Sequence, residues 1–258
     1  VIGQAAKNPK QADGVPVINM AKGFEVSTLE RISEVIEEEL SAAGRRDTHP
    51  VAVLLGPSHA EEVALEQPTA VVLAGQEGTD WKHWQTWISG PFFRVYTNED
   101  TAGVEIASGF KNIIALAAGA SDGMGFGDNT KSLLLTRGLS EMARIGVSLG
   151  ADVFTFSGLT GVGDLMCTCA SPLSRNHQVG ERLAKGETLD DILNSMTQVA
   201  EGVPTTKAVQ RYAESVGLDL PIVKAVYRLL FDDWKVPDAL AQLMDLPGGD
   251  ELAALRYR

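Results

Sequence analysis

Residues 51–55 are all apolar (Val-Ala-Val-Leu-Leu), and they end in the turn Gly56-Pro57-Ser58. An apolar run of this length without alternation is typical of a strand that is covered on both faces of its sheet. Such cover is usually supplied by helices. The run therefore predicts an α/β fold for this part of the chain.

Strand and helix signals alternate through the first hundred residues, and then only helical patterns follow. We predict further strands at 15–20, 69–74 and 92–96, with helices at 29–40, 60–65 and 80–88. Ser27 and Glu30 have the spacing of a capping box ahead of the first helix. After residue 98 we predict helices at 104–118, 130–149, 178–184, 189–196, 205–215, 222–231 and 238–243. The sequence thus predicts an α/β domain over 1–98 and an all-α domain over 99–258.

A complete dinucleotide-binding domain opens with a strand, the pattern G-x-G-x-x-G and a helix. No such element precedes Val15, and the glycine-rich residues 123–127 lie between two predicted helices. An α/β domain joined to a helical domain is common among nicotinamide-dependent dehydrogenases, although that is a likeness of fold alone. We therefore expect a partial Rossmann domain whose first βα units are absent, followed by a helical catalytic and substrate domain.

The charge balance excludes some partners. Lys and Arg total 22 against 34 Asp and Glu, a formal net charge of −12. A duplex nucleic-acid binder needs a basic face, so we expect no nucleic-acid partner. An anionic small molecule stays compatible, because a few converging cations create a local positive pocket.

The two cysteines, Cys167 and Cys169, are expected to be reduced and buried on an extended segment, where they would bridge poorly. No further ligand at metal-site spacing stands nearby, so we expect no metal. No apolar run approaches the length of a membrane span. We expect a reducing, cytoplasmic location. The sequence does not give the oligomeric state, but the helical half has enough apolar surface for a homodimer.

Lys111 lies among Phe110, Ile113 and Ile114 on the predicted helix 104–118. A charged lysine is costly to bury there, and most lysines in such a setting extend to the helix surface. Small residues share its face, so the amine could instead open into a cleft. Desolvation or a nearby cation would then lower its pKa towards that of a general acid or base.

Two polar motifs follow in the helical half. Ser174-Arg175-Asn176 offers a planar fork flanked by a hydroxyl and an amide, which suits a phosphate or carboxylate; it is also the pattern of a helix start with a capping serine. Gly161-Val162-Gly163 allows a tight turn before Asp164, whose carboxylate could accept from a hydroxyl, hold an ammonium or close a local turn.

Taken in order, these motifs resemble the bacterial type of glycerol-3-phosphate dehydrogenase [NAD(P)+]. The resemblance runs from about Val15 to near residue 245. The blocks that carry it are 22–23, 56–63, 110–119, 122–130, 137–142, 161–165, 168–169, 171–176 and 201–203. The joint presence of Phe-Lys-Asn and Ser-Arg-Asn makes it specific.

The resemblance implies interconversion of sn-glycerol 3-phosphate and dihydroxyacetone phosphate with NAD or NADP, which supplies phospholipid synthesis. It makes Lys111 the proton-transferring residue and places Lys22 against both substrate and nicotinamide. The implied substrate contacts are Lys22, Gly56, Ser58, Lys111, Asn112, Asp164, Thr168, Ser174, Arg175 and Asn176. The implied cofactor contacts are Lys22, Ala60, Arg175, Val199 and Glu201.

Two alternatives stay open. Without the front of its dinucleotide domain the chain could be a non-catalytic binding or assembly module, which titration with NADH would test. It could also be a dehydrogenase of similar architecture that acts on a hydroxy acid. The Ser174-Arg175-Asn176 block disfavours the latter, and a comparison of phosphorylated with non-phosphorylated substrates would decide it.

Overall fold

The computed structural model describes residues 14–75, 77–245 and 248. The start of the predicted first domain (1–13) and the end of the second (249–258) lie outside this range. The described residues form a four-stranded sheet with its helices, followed by a helical array.

The sheet has the order β1-β2-β3-β4, with β1 Val17–Asn19, β2 Val51–Leu55, β3 Thr69–Gly75 and β4 Phe93–Asn98. β1 is parallel to β2 and β3 is parallel to β4, but β2 and β3 are antiparallel, with Leu54 opposite Leu73. The sheet therefore consists of two parallel strand pairs, β1-β2 and β3-β4, which are joined by the antiparallel pairing of β2 with β3. A helix lies in the connection between the two strands of each parallel pair. The predicted α/β fold is confirmed, and the sheet is mixed.

Both faces of the apolar strand β2 are covered, as its sequence predicts. Ala52 and Leu54 pack in one cluster with Trp81 and Trp84, while Val53 and Leu55 pack in another that includes Val104. Successive side chains point to opposite faces, and each face has its own apolar partner. This cover holds the loop that follows β2 in a fixed position.

The helices of the first part are α1 Ile32–Ala42, α2 Ala60–Ala64 and α3 Trp81–Ile88. The predicted capping box at Ser27 is wrong. Ser27 donates to the carboxylate of Glu25, and Leu29 has φ +64, so the helix begins only after Arg31. Glu34 accepts from the backbone N–H of Arg31 at 2.8 Å and caps the helix instead.

The helical part begins with α4 Thr101–Gly123. Residues 103–121 of α4 are all buried, which is typical of a helix packed on every side. Around it lie α5 Asp128–Ser148, α6 Asp164–Ala170, α7 Arg175–Ala184, α8 Leu189–Ser195, α9 Gly202–Val216, α10 Pro221–Phe231 and α11 Val236–Met244. The predicted helices are confirmed, and their ends are shifted by at most three residues except at the end of α4, which runs five residues beyond the predicted end at 118.

Glycines bring α4 and α7 together. A Cβ at Gly119 would overlap the carbonyl oxygen of His177, and one at Gly180 would overlap that of Leu116. The two backbones therefore approach more closely than side chains would allow. This contact sets the N-terminus of α7 beside the middle of α4, where Lys111 lies.

The segment before α7 differs from its prediction. Residues Leu159–Gly163 form a turn of π-helix that leads into α6. Cys167 and Cys169 lie on α6 rather than on an extended segment, and both are free thiols. Cys169 is buried as expected, whereas Cys167 is only partly so. Nowhere in the described chain is a helix both long and apolar enough for a membrane crossing.

Candidate active site

A cleft of about 940 Å³ lies between the sheet and the helical array. Its walls come from the loops after β1 and β2, from α4 and α6, and from the starts of α7 and α9. The site residues predicted from sequence that line it are Lys22, Ser58, Ala60, Lys111, Asn112, Asp164, Thr168, Ser174, Arg175, Asn176 and Glu201. Gly56 and Val199 do not line it, but each accepts a hydrogen bond from a residue that does.

Lys111 is at the inner end of this cleft. It is 3% exposed, so the alternative of a lysine that extends to the helix surface is wrong. Its Nζ donates to Oδ1 of Asp164 at 2.5 Å and to Oγ1 of Thr168 at 2.6 Å. An ammonium has three donors, so one remains that can point into the cleft.

Asp164 bridges two lysines. Its Oδ2 accepts from Nζ of Lys22 at 3.0 Å, while its other oxygen accepts from Lys111. The carboxylate is 1% exposed and stands in the first turn of α6, directly after the π-helical turn. The local turn proposed from sequence is therefore not closed by Asp164, whose side chain holds ammonium groups instead.

The surroundings of Lys111 lower its pKa from 10.5 to about 8. Burial is the main cause, because it disfavours the charged form. The negative Asp164 opposes this effect and the positive Lys22 adds to it. The amine can thus gain or lose a proton near neutral pH, which is the requirement for a general acid–base group.

The wall of the cleft formed by the start of α7 is suited to an anion. Ser174 caps α7, and its Oγ accepts from the backbone N–H of His177, as the capping alternative predicts. Arg175 and Asn176 occupy the first turn of this ten-residue helix. The unpaired N–H groups and positive end of a helix dipole favour a phosphate at this position.

Contacts with the segment before α9 orient these two side chains. Nη1 of Arg175 donates to the carbonyl oxygen of Val199 at 2.9 Å, and Oδ1 of Asn176 accepts from the N–H of Gly202 at 2.8 Å. The rest of the guanidinium fork and the amide NH₂ of Asn176 stay available to a ligand.

The loop after β2 forms the side of the cleft next to Lys22. Gly56 has φ +148, and a Cβ there would lie 3.1 Å from Cα of Val71, so glycine is needed. Its carbonyl oxygen accepts from Nζ of Lys22 at 2.8 Å and from Oγ of Ser58 at 3.2 Å. Ala60 begins α2 immediately afterwards.

The cleft is also lined by residues that were not predicted from the sequence as site residues. They are Met20, Ala21, Gly23, Phe24, Ile32, His59, Glu61, Leu173, Gln178, Arg182, Ser195, Met196, Thr197 and Gln198. Those on the stretch 195–198 carry no motif of their own. They could be found only from their place just ahead of Val199 and Glu201.

Among the described residues, no group of three or more His, Cys, Asp or Glu side chains is arranged to hold a metal ion. The cleft brings together a buried amine, a carboxylate that bridges two lysines and the N-terminus of a helix. Joined to a Rossmann-like sheet, this combination defines a nicotinamide-dependent dehydrogenase of the class that pairs an α/β domain with a helical one.

Comparisons with known proteins agree with this class. The family model for the NAD-dependent glycerol-3-phosphate dehydrogenase C-terminus matches residues 100–241, and the model for its N-terminus matches residues 1–80. The chain belongs to the NAD-dependent glycerol-3-phosphate dehydrogenase family.

Individual relatives carry the same name. The glycerol-3-phosphate dehydrogenase [NAD(P)+] of Prosthecochloris aestuarii is 50% identical over 232 residues, which are 90% of this chain and 69% of that protein. That of Oceanobacillus iheyensis is 47% identical over 236 residues, 92% of this chain and 67% of the relative. The crystal structure of the Coxiella burnetii glycerol-3-phosphate dehydrogenase superposes with a TM-score of 0.86 at 34% identity, covering 95% of this chain and 72% of that one.

Proposed function

We propose that this chain interconverts sn-glycerol 3-phosphate and dihydroxyacetone phosphate, with Lys111 as the residue that transfers the proton. Family membership supports the reaction and its nicotinamide cofactor, NAD or NADP. The observation that carries the role of Lys111 is its burial at the inner end of the cleft, with a lowered pKa and a bridging carboxylate.

Lys111 can serve both directions of the reaction. As an ammonium it donates a proton to the carbonyl oxygen of dihydroxyacetone phosphate, and as an amine it removes the proton of the substrate hydroxyl. Asp164 and Thr168 hold its Nζ in place, which fixes the direction of the remaining donor. Lys22 supplies a second positive charge for the oxygen on which negative charge develops.

The phosphate of the substrate would bind at the N-terminus of α7. Ser174, Arg175 and Asn176 supply a hydroxyl, a guanidinium and an amide there. We assign Asn112 to the substrate as well, because it follows Lys111 and lines the cleft. Gly56 and Ser58 would approach the substrate from the side of the sheet. This assignment favours a phosphorylated substrate over a hydroxy acid.

The cleft has room for a nicotinamide beside this substrate. Gly23 lies next to Glu201 in this part of the cleft and has φ +150, a backbone conformation that favours glycine. The residues that would hold the cofactor are Lys22, Ala60, Arg175, Val199 and Glu201. When bound, the nicotinamide supplies or accepts the hydride. The chain's own residues move only the proton.

Three wider assignments belong to the same proposal. The boundary between domains 1–98 and 99–258 is supported by the end of β4 at Asn98 and the start of α4 at Thr101. We also propose a homodimer formed through the helical part and a cytoplasmic location.

The function is tested by the oxidation of NADH or NADPH in the presence of dihydroxyacetone phosphate. We expect turnover with this substrate and little with unphosphorylated dihydroxyacetone. Lys111→Ala should abolish turnover while its circular dichroism spectrum stays unchanged, and Lys224→Ala, at an exposed position of α10, should act like the wild type. A fully active Lys111→Ala variant would overturn the role of Lys111, and equal turnover of both ketones would overturn the substrate class. Calorimetric titration with NADH separately tests the alternative that the chain is a non-catalytic module. That alternative predicts that NADH does not bind.

A further inference from the structure

Glu105 is a buried carboxylate that the proposed chemistry does not use. It lies on α4 and is 2% exposed. Its Oε1 accepts from the backbone N–H of Ser33 at 3.0 Å and from Nδ2 of Asn19 at 3.2 Å. Its Oε2 accepts from the hydroxyl of Ser33 and faces Nη1 of Arg31 at 3.8 Å. A buried carboxylate with this many partners connects α4 to both α1 and the end of β1.

Asn19 connects Glu105 to the segment that carries Lys22 of the active site. Asn19 ends β1, and its Oδ1 accepts from the N–H of Ala21 at 2.9 Å. Its Nδ2 also lies 3.3 Å from the carbonyl oxygen of Ala21. These bonds fold the chain into a tight turn immediately before Lys22. Glu105 therefore holds the turn that presents Lys22 to Asp164.

Lys22 and Lys111 thus depend on the same helix. Glu105 and Lys111 are six residues apart on α4, which places them about 9 Å apart along the helix axis at 1.5 Å per residue. Resting on the proposed function, we propose that Glu105 is a positioning residue that, through Asn19, holds Lys22 against Asp164 and so sets the charge environment of Lys111.

The electrostatics of the site make this effect measurable. The charged side chains that act on Lys111 are Asp164 on α6 and Lys22 on the loop after β1, and burial remains the main cause of its lowered pKa. The thiols of Cys167 and Cys169 also lie on α6, and burial raises the pKa of both, so they stay neutral. If Lys22 moves away from Asp164, the neighbourhood of Lys111 loses a positive charge, and the carboxylate of Asp164 interacts with Lys111 alone. Both changes raise the pKa of Lys111.

Four substitutions separate positioning from general packing. Glu105→Ala removes the carboxylate and leaves the two bonds between Asn19 and Ala21 in place. Asn19→Ala removes those two bonds together with the bond to Glu105, and leaves the bonds between Glu105 and Ser33 intact. Ser33→Ala is the matched control, because it removes a bond to the same carboxylate on the side of α1. Glu105→Gln is the conservative variant: its amide oxygen can keep the bonds from Ser33 and Asn19, and its NH₂ can donate to the Ser33 hydroxyl.

The test is a ¹³C NMR titration of the lysine side chains in the whole chain, with the Lys111 signal assigned by its absence in Lys111→Met. We expect the pKa of Lys111 to rise towards 10.5 in Glu105→Ala and in Asn19→Ala, and to stay near 8 in Ser33→Ala and Glu105→Gln. A pKa that is unchanged in Glu105→Ala, or that rises equally in Ser33→Ala, would overturn the positioning role. An ordinary lysine pKa in the wild-type chain would instead contradict the acid–base role of Lys111, so the two failures are distinguishable.

Discussion

The Nζ of Lys111 donates a 2.5 Å hydrogen bond to Oδ1 of Asp164, which is 53 residues further along the chain. The lysine comes from a helix buried on all sides, and the aspartate comes from the helix that follows a π-helical turn. Their contact exists only because α4 and α6 pack together. The carboxylate offsets part of the cost of burying the ammonium, and with burial as the main cause the pKa of Lys111 is about 8.

The first prediction concerns pH. Because the pKa of Lys111 is about 8, the ammonium predominates below that pH and the amine above it. Ketone reduction needs the ammonium, so its rate should fall as the pH rises through about 8. Alcohol oxidation needs the amine, so its rate should rise over the same range. Initial rates in both directions between pH 6 and 10 provide the check, and parallel profiles in the two directions would contradict it.

The second prediction concerns the phosphate end of the cleft. Arg175→Ala should lower kcat/KM for dihydroxyacetone phosphate by roughly 10- to 150-fold, since a hydrogen bond to a charged group contributes about 1.5–3 kcal/mol. The loss should be mainly in KM, because Arg175 is assigned to the phosphate and not to the proton transfer. Arg211→Ala, at an exposed position on α9, is the control. Equal kinetics for the two variants would show that Arg175 does not bind the phosphate.

The third prediction concerns Glu141, a fully buried carboxylate on α5. Its oxygens accept from the backbone N–H groups of Ile222 and Val223 at the start of α10. Glu141→Ala leaves both buried donors unpaired, so the free energy of unfolding should fall by about 2–6 kcal/mol, at about 1–3 kcal/mol for each unpaired group. Chemical denaturation measures this, and a change below 1 kcal/mol would contradict the account.

Glu141 also gives stability a pH dependence. Burial raises its pKa from 4.5 to about 7. A carboxyl group with a raised pKa in the folded state favours folding most fully below pH 4.5, and this contribution is lost as the pH rises through 7. The unfolding free energy of the wild type relative to Glu141→Gln should therefore decrease between pH 5.5 and 8. A constant difference would show that Glu141 titrates normally.

The fourth prediction concerns the contact between α4 and α7. A Cβ at Gly180 would overlap the backbone carbonyl of Leu116, which cannot move without displacing α4. Gly180→Ala should cost about 1–3 kcal/mol of stability, as overpacking does. It should also weaken phosphate binding, because α7 carries Arg175 and Asn176. Gly90→Ala meets no atom within 4 Å and serves as the control. An unaltered KM for dihydroxyacetone phosphate in Gly180→Ala would show that the contact between α4 and α7 does not position the phosphate site.

Much of the fold could be predicted because the pattern of apolar residues along a segment indicates which of its faces are buried. The apolar run 51–55 and the helical spacing of α4 and α5 follow from the faces that these segments bury. The strand directions could not be predicted, since a buried apolar strand looks the same in either direction. The capping box at Ser27 failed because Glu25 competes for the serine hydroxyl and Leu29 leaves the helical region.

The site was predicted in part. Its candidate residues came from the family resemblance, whereas burial and spacing alone favoured a surface lysine at position 111. The bridge from Asp164 to Lys22 joins positions 142 residues apart, and no pattern within the chain indicates it. Glu105 did leave a signal, because a carboxylate between Val104 and Ile106 on an apolar helix requires partners. That signal shows that partners exist without identifying them as Asn19 and Ser33.

Chemical rescue tests the central role of Lys111 most directly. Lys111→Ala leaves space at the inner end of the cleft for a small primary amine. Turnover of dihydroxyacetone phosphate by this variant, measured with added methylamine or ethylamine, should be restored in proportion to amine concentration and should vary with the pKa of the amine. Ethanol at the same concentration should restore none. Wild-type turnover by Lys111→Ala without any amine would contradict the assignment of Lys111 as the proton-transferring residue.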